Sequence, residues 1–227
     1  MYTYKDFRGS SHRILLELMR KHCRTRGRLV DVGAAGGELG ENARSLFDKG
    51  LALEYDRRNL PSLRRRFDAA AIVNLEEIDS LPRAGTIVLA DVIEHLREPG
   101  RMLRLARTAI EPDGLLFVSV PNVANLAIRA SLLFGSFRYG DRGILDRTHL
   151  RFYTLDTVRE EVRQSGFEIV STHGSALPLR LVAPWIPEIL LQGSERLLTV
   201  LASIWTSMFG YQIILVARPA GNGPRER

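Results

Sequence analysis

The sequence predicts an α/β fold in which a mostly parallel sheet carries helices on both faces. Short apolar runs alternate with helical patterns over residues 13–120, and this alternation is typical of parallel strands joined by crossover helices. Two of the runs, residues 86–90 and 115–120, are apolar at almost every position, which indicates strands buried on both faces of the sheet. A third run, residues 28–32, leads into a cluster of small residues and then into a helical pattern, as a strand–turn–helix unit does.

Start and stop signals divide the chain into its elements. Ser10 and Thr154 predict N-caps, Pro61 and Pro99 suit first helical turns, and Gly50 ends a helix. The helices predicted in this way are residues 13–23, 38–48, 61–67, 99–110, 122–134, 154–164 and 195–209. The strands predicted from apolar runs are residues 28–32, 51–54, 70–73, 86–90, 115–120, 167–171 and 211–217, with a turn at residues 112–114.

The bulk composition is that of one globular domain. The 227 residues are 45% hydrophobic, and the single Cys23 excludes an intrachain disulfide framework. The sequence shows no secretory signal pattern and no apolar stretch of the ~18–20 residues that a membrane span needs, so we expect a cytoplasmic protein. The net charge of +6 favours anionic partners. Nucleic acid is the least favoured of these, because no basic stripe is interleaved with aromatic residues.

The small residues after the first strand predict a nucleotide-like ligand. Residues 31–37 read Asp-x-Gly-x-Ala-x-Gly, and small side chains let a backbone approach a ligand closely. The spacing does not meet the Gly-x-Gly-x-x-Gly fingerprint of dinucleotide-binding domains. Glu54 ends the second strand about 20 residues later, where an acid can bind both ribose hydroxyls of a nucleotide.

This arrangement resembles motif I of the class I methyltransferases that use S-adenosylmethionine (SAM). The resemblance implies that Asp31, Gly33, Gly37 and Glu54 bind the cofactor, with Ala35 in place of the family's middle glycine. It also assigns to the cofactor site Asn74 and Leu75, where the family usually has an adenine-contacting aspartate, and Asp91 after the fourth strand. It implies a Rossmann-like, seven-stranded sheet whose antiparallel last strand, residues 211–217, lies between strands five and six.

A second polar cluster, Asp91-Val92-Ile93-Glu94-His95, follows the fourth strand. It resembles the corresponding segment of the UbiG-like branch, which methylates oxygens of polyprenyl-benzenoid precursors and whose acid-x-x-Glu-His set is associated with a divalent metal. Asp91, Glu94 and His95 are therefore candidate ligands, although a metal is not expected. In the alternative, Glu94 caps a helix and His95 lines the acceptor pocket.

A third polar stretch, residues 143–153, resembles a Thr-His-Leu-Arg-Phe segment found in SAM methyltransferases of glycan and lipid biosynthesis. His149 is a candidate general base, and Arg147 and Arg151 are candidates for holding an anionic group of the substrate. The same residues could instead hold the loop together. Asn122, after the fifth strand, is either an acceptor-positioning group or a helix cap.

One domain is predicted over residues 1–218, with a disordered tail at 219–227 and an apolar helical insert at about 175–209. The insert could form a lid, contact a membrane in its plane, pack on the sheet or join two subunits of a homodimer. Together these features predict a SAM-dependent methyltransferase, with His95 and His149 facing the acceptor. We expect it to methylate a hydroxyl on a small-molecule, glycan or lipid-linked acceptor. A SAM-binding, non-catalytic subunit of a biosynthetic complex is the alternative.

Overall fold

The fold is known from a computed structural model, which describes residues 9–23, 26–179 and 188–221. Residues 180–187 of the predicted insert and residues 222–227 of the predicted tail lie outside the described part of the chain. The last strand continues to Pro219, one residue into the predicted tail.

One seven-stranded sheet forms the centre of the molecule, with the spatial order β3-β2-β1-β4-β5-β7-β6. The first five strands in this order are parallel to one another, and β7 is antiparallel to both β5 and β6. The predicted fold class and the position of the last strand are therefore confirmed. The strands are β1 (Arg28–Val32), β2 (Lys49–Glu54), β3 (Ala69–Ile72), β4 (Ala84–Ala90), β5 (Ile110–Pro121), β6 (Phe167–Gly174) and β7 (Gln212–Pro219).

Helices cover both faces of this sheet. Within the described ranges they are α1 (Ser11–His22), α2 (Glu38–Ala43), α3 (Leu60–Arg66), α4 (Pro99–Ala109), α5 (Leu126–Leu133), α6 (Leu155–Gln164), α7 (Glu188–Ile204) and α8 (Thr206–Phe209). Ser10 and Thr154 are the N-caps that the sequence predicts, and each accepts a hydrogen bond from the backbone of the first turn. No helix in the described part of the chain is long and apolar enough to cross a bilayer.

Several predicted boundaries differ from the structure. The second helix ends at Ala43 and tightens into a 3-10 turn at Arg44–Leu46, because β2 begins at Lys49. The helix predicted from residue 122 begins only at Leu126, after its N-cap Asn125. The turn predicted at residues 112–114 is an irregularity within β5, where the pairing with β4 jumps from Ile110 to Leu115.

Successive side chains of the central strands point to opposite faces of the sheet, so the core consists of two layers. On β4, Ile87 and Leu89 face the cluster that also contains α4 and α6, whereas Val88 faces the cluster with α1 and α2. All three side chains are fully buried. The carboxyl ends of the parallel strands therefore meet at one edge of the sheet, above a core packed on both sides, and that edge carries the predicted site residues.

Candidate active site

The turn after β1 has an unusual backbone. Gly33, Ala35 and Gly37 have φ values of +70°, +47° and +87°, a region that favours glycine and strains alanine. Gly33 N donates to Leu53 O at 2.8 Å, which ties the turn to β2. A Cβ atom on Gly33 would lie 2.6 Å from Val92 Cγ2, so only glycine fits between the turn and the end of β4.

Glu54 is joined directly to this turn. Its Oε2 accepts a hydrogen bond from Ala35 N at 2.8 Å, and its Oε1 accepts one from Asp56 N at 2.9 Å. The side chain is buried, yet each carboxylate oxygen has a second lone pair. The carboxylate is therefore fixed in place and can still accept hydrogen bonds from a pair of hydroxyl groups.

Asp31 is the most buried acid of the cofactor-binding set, with 3% of its surface exposed. Its Oδ2 has no hydrogen-bond partner among the described residues. Burial, and secondarily the charge of Glu54, raise the pKa of Asp31 to about 7. A buried carboxylate oxygen without a donor is costly, and a ligand that brings an ammonium group or another donor would remove that cost.

A cleft of about 550 Å³ continues beyond Glu54. Tyr55, the next residue, lines it with a side chain that is 72% exposed. The sequence analysis missed Tyr55, although an aromatic residue directly after a ribose-binding acid suits stacking against a base. Asn74 also lines the cleft. Its amide is engaged locally with Glu76 N and with the carboxylate of Glu77, so it shapes this turn.

Leu75, the other adenine-side candidate, is partly buried and packs against the larger core cluster. Leu75 therefore anchors the segment after β3 to the hydrophobic core. Its neighbour Val73 donates from its backbone N to Glu54 O at 2.8 Å. The end of β3 is in this way held against the end of β2.

Asp91 occupies a strained position at the end of β4, with φ +56°. Its Oδ1 accepts from Ser119 Oγ at 2.8 Å, and its Oδ2 accepts from Gln212 Nε2 at 2.5 Å. The last strand therefore contributes a side chain to the site. The sequence analysis missed Gln212, whose signal was a lone amide at the start of an apolar strand.

The structure brings together Glu94, His95 and His149, whose ligand atoms all lie within 4.8 Å of one another. The two imidazole rings meet edge to face, with centroids 4.9 Å apart. Backbone hydrogen bonds from Leu150 and Arg151 to Glu94 O, at 2.8 and 3.0 Å, hold the loop of His149 against the end of β4. Among the described residues, Asp91 is not part of this group, so the structure replaces one predicted metal candidate by His149.

Hydrogen bonding sets the protonation of His149. Its Nδ1 lies 3.0 Å from Ile144 O, and a carbonyl oxygen can only accept. The proton of the neutral ring is therefore on Nδ1, and Nε2 keeps a lone pair. Burial is the main cause that lowers the pKa of His149, and the neighbouring His95 acts in the same direction. The ring is therefore neutral at neutral pH.

His95 is oriented from the same loop. Its Nδ1 lies 3.2 Å from Thr148 O and 3.3 Å from Thr148 Oγ1. The Thr148 hydroxyl donates to Asp146 Oδ1 at 2.7 Å, so its oxygen is free to accept from His95. Both histidines accordingly use Nδ1 as a donor, which leaves Nε2 without a proton in the neutral form of each ring.

Aromatic rings line the other side of His149. Its ring centroid lies 6.2 Å from that of Phe152. Phe152 in turn lies 5.9 Å from Phe137 and 6.1 Å from Tyr139. These three rings form an aromatic wall beside the histidine pair, which the sequence analysis missed because they are up to 15 positions apart in a loop-rich segment.

The two arginines predicted to bind the substrate have different surroundings. Arg147 is exposed and pairs with Asp141 at 2.9 Å. Arg151 donates from Nη2 to Arg97 O at 2.9 Å, which fastens its loop to the segment after β4.

Asn122 is fully buried, and its Nδ2 lies within hydrogen-bonding distance of Thr206 O, Ser207 O and Gly210 O. Its amide is directed into the protein towards the turn of α8, where it holds that turn against the end of β5. The expectation that this amide faces the acceptor crevice therefore does not match its position.

Comparison with known proteins agrees with this geometry. A family model described as a methyltransferase domain matches residues 4–172. Ubiquinone biosynthesis O-methyltransferase of Ruegeria pomeroyi is 29% identical over 161 residues, which are 65% of this chain and 62% of that protein. The protein of the same name from Neisseria meningitidis serogroup C is 25% identical over 175 residues, 70% of this chain and 71% of that one. The match to the first of these relatives thus spans less than two thirds of its length.

Solved structures share the fold at low identity. A SAM-dependent methyltransferase from Archaeoglobus fulgidus superposes with a TM-score of 0.62 at 15% identity, covering 92% of this chain and 94% of that one. Magnesium protoporphyrin IX methyltransferase from Synechocystis PCC 6803, solved with bound S-adenosylhomocysteine, gives 0.63 at 11% identity, covering 92% and 82%. The matching domain model, the sheet order and the glycine turn joined to Glu54 lead to one conclusion: the chain belongs to the class I SAM-dependent methyltransferases.

Proposed function

We propose that the protein transfers the methyl group of SAM to a hydroxyl oxygen, with His149 as the general base. The observation that carries this proposal is the pairing of Nδ1 of His149 with Ile144 O. It leaves an unprotonated Nε2 on a ring of lowered pKa, which is the state that a base needs.

The cofactor is proposed to lie along the edge formed by β1, β2, β3 and β4. Glu54 would bind the ribose hydroxyls, and Asp31, with its unpaired buried oxygen, would face the amino-acid part of the cofactor. The other proposed contacts are Gly33, Ala35, Gly37, Asn74, Leu75 and Asp91. When bound, SAM supplies an electrophilic methyl group on its sulfonium.

The acceptor is proposed to lie between the histidine pair and the aromatic wall. His149 Nε2 takes the proton of the acceptor hydroxyl while the oxygen forms its bond to the methyl carbon and the carbon–sulfur bond breaks. His95 lines the same space. Exposed Arg147 would bind an anionic group on a small-molecule, glycan or lipid-linked acceptor in place of its surface partner Asp141. The relatives named for ubiquinone biosynthesis support an oxygen acceptor.

A divalent metal is not required by this proposal. If one binds, Glu94, His95 and His149 are the residues that would hold it, because both oxygens of Asp91 already accept hydrogen bonds from Ser119 and Gln212. A nitrogen-rich set of this kind suits Zn²⁺ or Mn²⁺ better than Mg²⁺.

The test is His149→Ala, assayed with radiolabelled SAM against catechols and lipid extracts. Turnover should fall by ~10²–10⁴ while SAM affinity, measured by calorimetry, stays nearly unchanged. Equal loss of SAM binding would contradict the role as a base. SAM binding by the wild-type protein with no transfer to any acceptor would favour the non-catalytic subunit instead.

A further inference from the structure

Helix α5 is apolar and yet exposed. None of its residues is buried, although its sequence, Leu-Ala-Ile-Arg-Ala-Ser-Leu-Leu, is mostly hydrophobic. Leu133 and the following Phe134 have 82% and 85% of their surfaces exposed. Single exposed leucines are ordinary, whereas a contiguous exposed apolar patch marks an interaction surface.

The second half of the patch lies on α7 and directly after it. Leu197, Val200, Ile204 and Trp205 are all exposed, and Ile204 has 77% of its surface exposed. Their spacing of three, four and one residues places them along one face of the helix. The protein therefore presents a second apolar stripe to the solvent.

Asn125 joins the start of α5 to the turn that follows α7. Asn125, the N-cap of α5, donates from Nδ2 to Phe209 O and Gly210 O at 3.3 and 2.9 Å. Phe209 packs edge to face with Trp205, with ring centroids 6.0 Å apart. The start of α5 and the end of α7 are thus neighbours, and exposed Leu126 and Trp205 lie at these two ends. The exposed apolar side chains of the two helices are called the α5–α7 face below.

The charge around this face indicates which partner it fits. Residues 123–151 contain five arginines and two aspartates, and residues 188–205 contain one arginine and two glutamates, so the two segments together carry a net charge of 6 − 4 = +2. Arg129, Arg138 and Arg142 are exposed. Apolar side chains surrounded by arginines are typical of surfaces that bind anionic bilayers. A second copy of the chain would bring the same positive charge and would be repelled.

The face also adjoins the acceptor side of the site. Phe137 and Tyr139 follow the exposed tip of α5. Phe137 packs edge to face against Phe152, Tyr139 packs against it at a tilt, and Phe152 packs edge to face against His149. A continuous line of apolar and aromatic side chains therefore leads from the protein surface to the proposed base.

We propose that the α5–α7 face binds the surface of an anionic bilayer, so that an acceptor held in the membrane reaches His149 along the aromatic wall. The proposed membrane binding rests on the exposed apolar residues and the arginines around them. The identity of the acceptor as a membrane-held molecule rests in addition on the proposed O-methyltransferase function.

The experiment is sedimentation of the full chain with vesicles of phosphatidylcholine, with and without phosphatidylglycerol. Binding should require the anionic lipid and should weaken as salt is added. A double variant, Leu133→Ser with Phe134→Ser, should lower the affinity by about tenfold or more, because both side chains lose their apolar contact with the bilayer. Adding Arg138→Glu to the double variant should lower the affinity for vesicles further.

Val170→Ser is the matched control, since Val170 is also exposed but lies on β6. Calorimetry with SAM shows that each variant is folded. Vesicle binding that the double variant leaves intact would overturn the proposal. So would a homodimer that the double variant dissociates while wild type ignores vesicles. Vesicle binding without methyl transfer would support the membrane-binding role of the α5–α7 face and contradict only the proposed function.

Discussion

Gln212 and Asp91 are 121 positions apart in the chain, and the side-chain amide of Gln212 donates to Asp91 Oδ2 at 2.5 Å. Gln212 begins β7, the antiparallel strand between β5 and β6. Ser119 on β5 holds the other carboxylate oxygen at 2.8 Å. The last strand therefore completes the sheet and also fixes, from the neighbouring strands, an acid that sits at positive φ at the proposed cofactor site.

Replacing Gln212 by leucine should weaken SAM binding without unfolding the protein. The change removes a donor to a carboxylate, an interaction worth about 1.5–3 kcal/mol, and we expect SAM affinity to fall by about tenfold or more. Calorimetric titration with SAM measures this. Gln212→Glu should do more harm, because it places a second carboxylate beside Asp91. Arg218→Ala, on the same strand but in an exposed ion pair with Glu168, is the control. Unchanged affinity in Gln212→Leu would show that Asp91 does not serve the cofactor.

Asp31 predicts a pH dependence of cofactor binding. Its pKa of about 7 means that this carboxyl is protonated below neutrality in the ligand-free protein. A bound ammonium group would favour the ionised form. Binding of SAM near pH 6 should therefore release a proton, and the binding enthalpy should depend on the ionisation enthalpy of the buffer. Asp31→Asn should abolish this dependence. Proton release that persists in Asp31→Asn would assign it to another group.

The same shift has a consequence for stability. Because the folded pKa of Asp31 lies above its ordinary value of 3.8, the folded protein binds this proton more tightly than the unfolded chain does. The contribution is present in full below pH 3.8 and is lost as the pH rises to about 7. Asp31→Asn should flatten the fall in unfolding free energy between these limits, as measured by denaturant titration. A parallel fall in both proteins would contradict the assignment.

His149 predicts the shape of the activity profile. Burial lowers the pKa of this imidazole, so the neutral base forms at a pH below the ordinary value of 6.5. Methyl transfer should rise with pH and reach half of its maximum below pH 6.5, as His149 loses its proton. His149→Gln, which cannot accept a proton, should leave only slow transfer that lacks this rise. A rise centred well above pH 7 would assign the base to another group.

The sequence predicted the fold well because the strong signals are local. Strand–helix alternation and fully apolar runs such as residues 115–120 follow from burial on both faces of a sheet. The misplaced boundaries have specific causes. The segment at 112–114 carries turn residues, but the backbone stays paired on both sides of it as an irregularity of β5. From the sequence, Asn122 is a polar residue after a strand and is expected to be exposed. In the structure it is buried, because its side-chain amide donates to carbonyl oxygens of Thr206 and Gly210, more than 80 positions away in the chain.

For the candidate site, the sequence predicts the individual residues but not the contacts between them. Asp31, Glu54 and Asp91 were found from their places at strand ends, which the chain order alone specifies. The contacts that orient them were not found, because Gln212 reaches Asp91 only once the last strand enters the sheet. The proximity of His149 to Glu94 likewise depends on backbone hydrogen bonds that Leu150 and Arg151 donate to Glu94 O, which lies 56 and 57 positions earlier in the chain.

Zn²⁺ should inhibit the enzyme. Glu94, His95 and His149 can offer three ligand atoms to one ion, and Zn²⁺ readily accepts two imidazoles and a carboxylate. An ion held there would occupy Nε2 of His149 and remove the base of the proposed methyl transfer.

Added Zn²⁺ should therefore lower turnover, EDTA should restore it, and EDTA alone should leave the starting rate unchanged. His95→Ala should weaken the inhibition by removing a ligand, whereas His173→Ala, on the distant β6, should not. Loss of activity on treatment with EDTA, regained with one metal, would instead show that this group of residues holds a metal that the reaction needs.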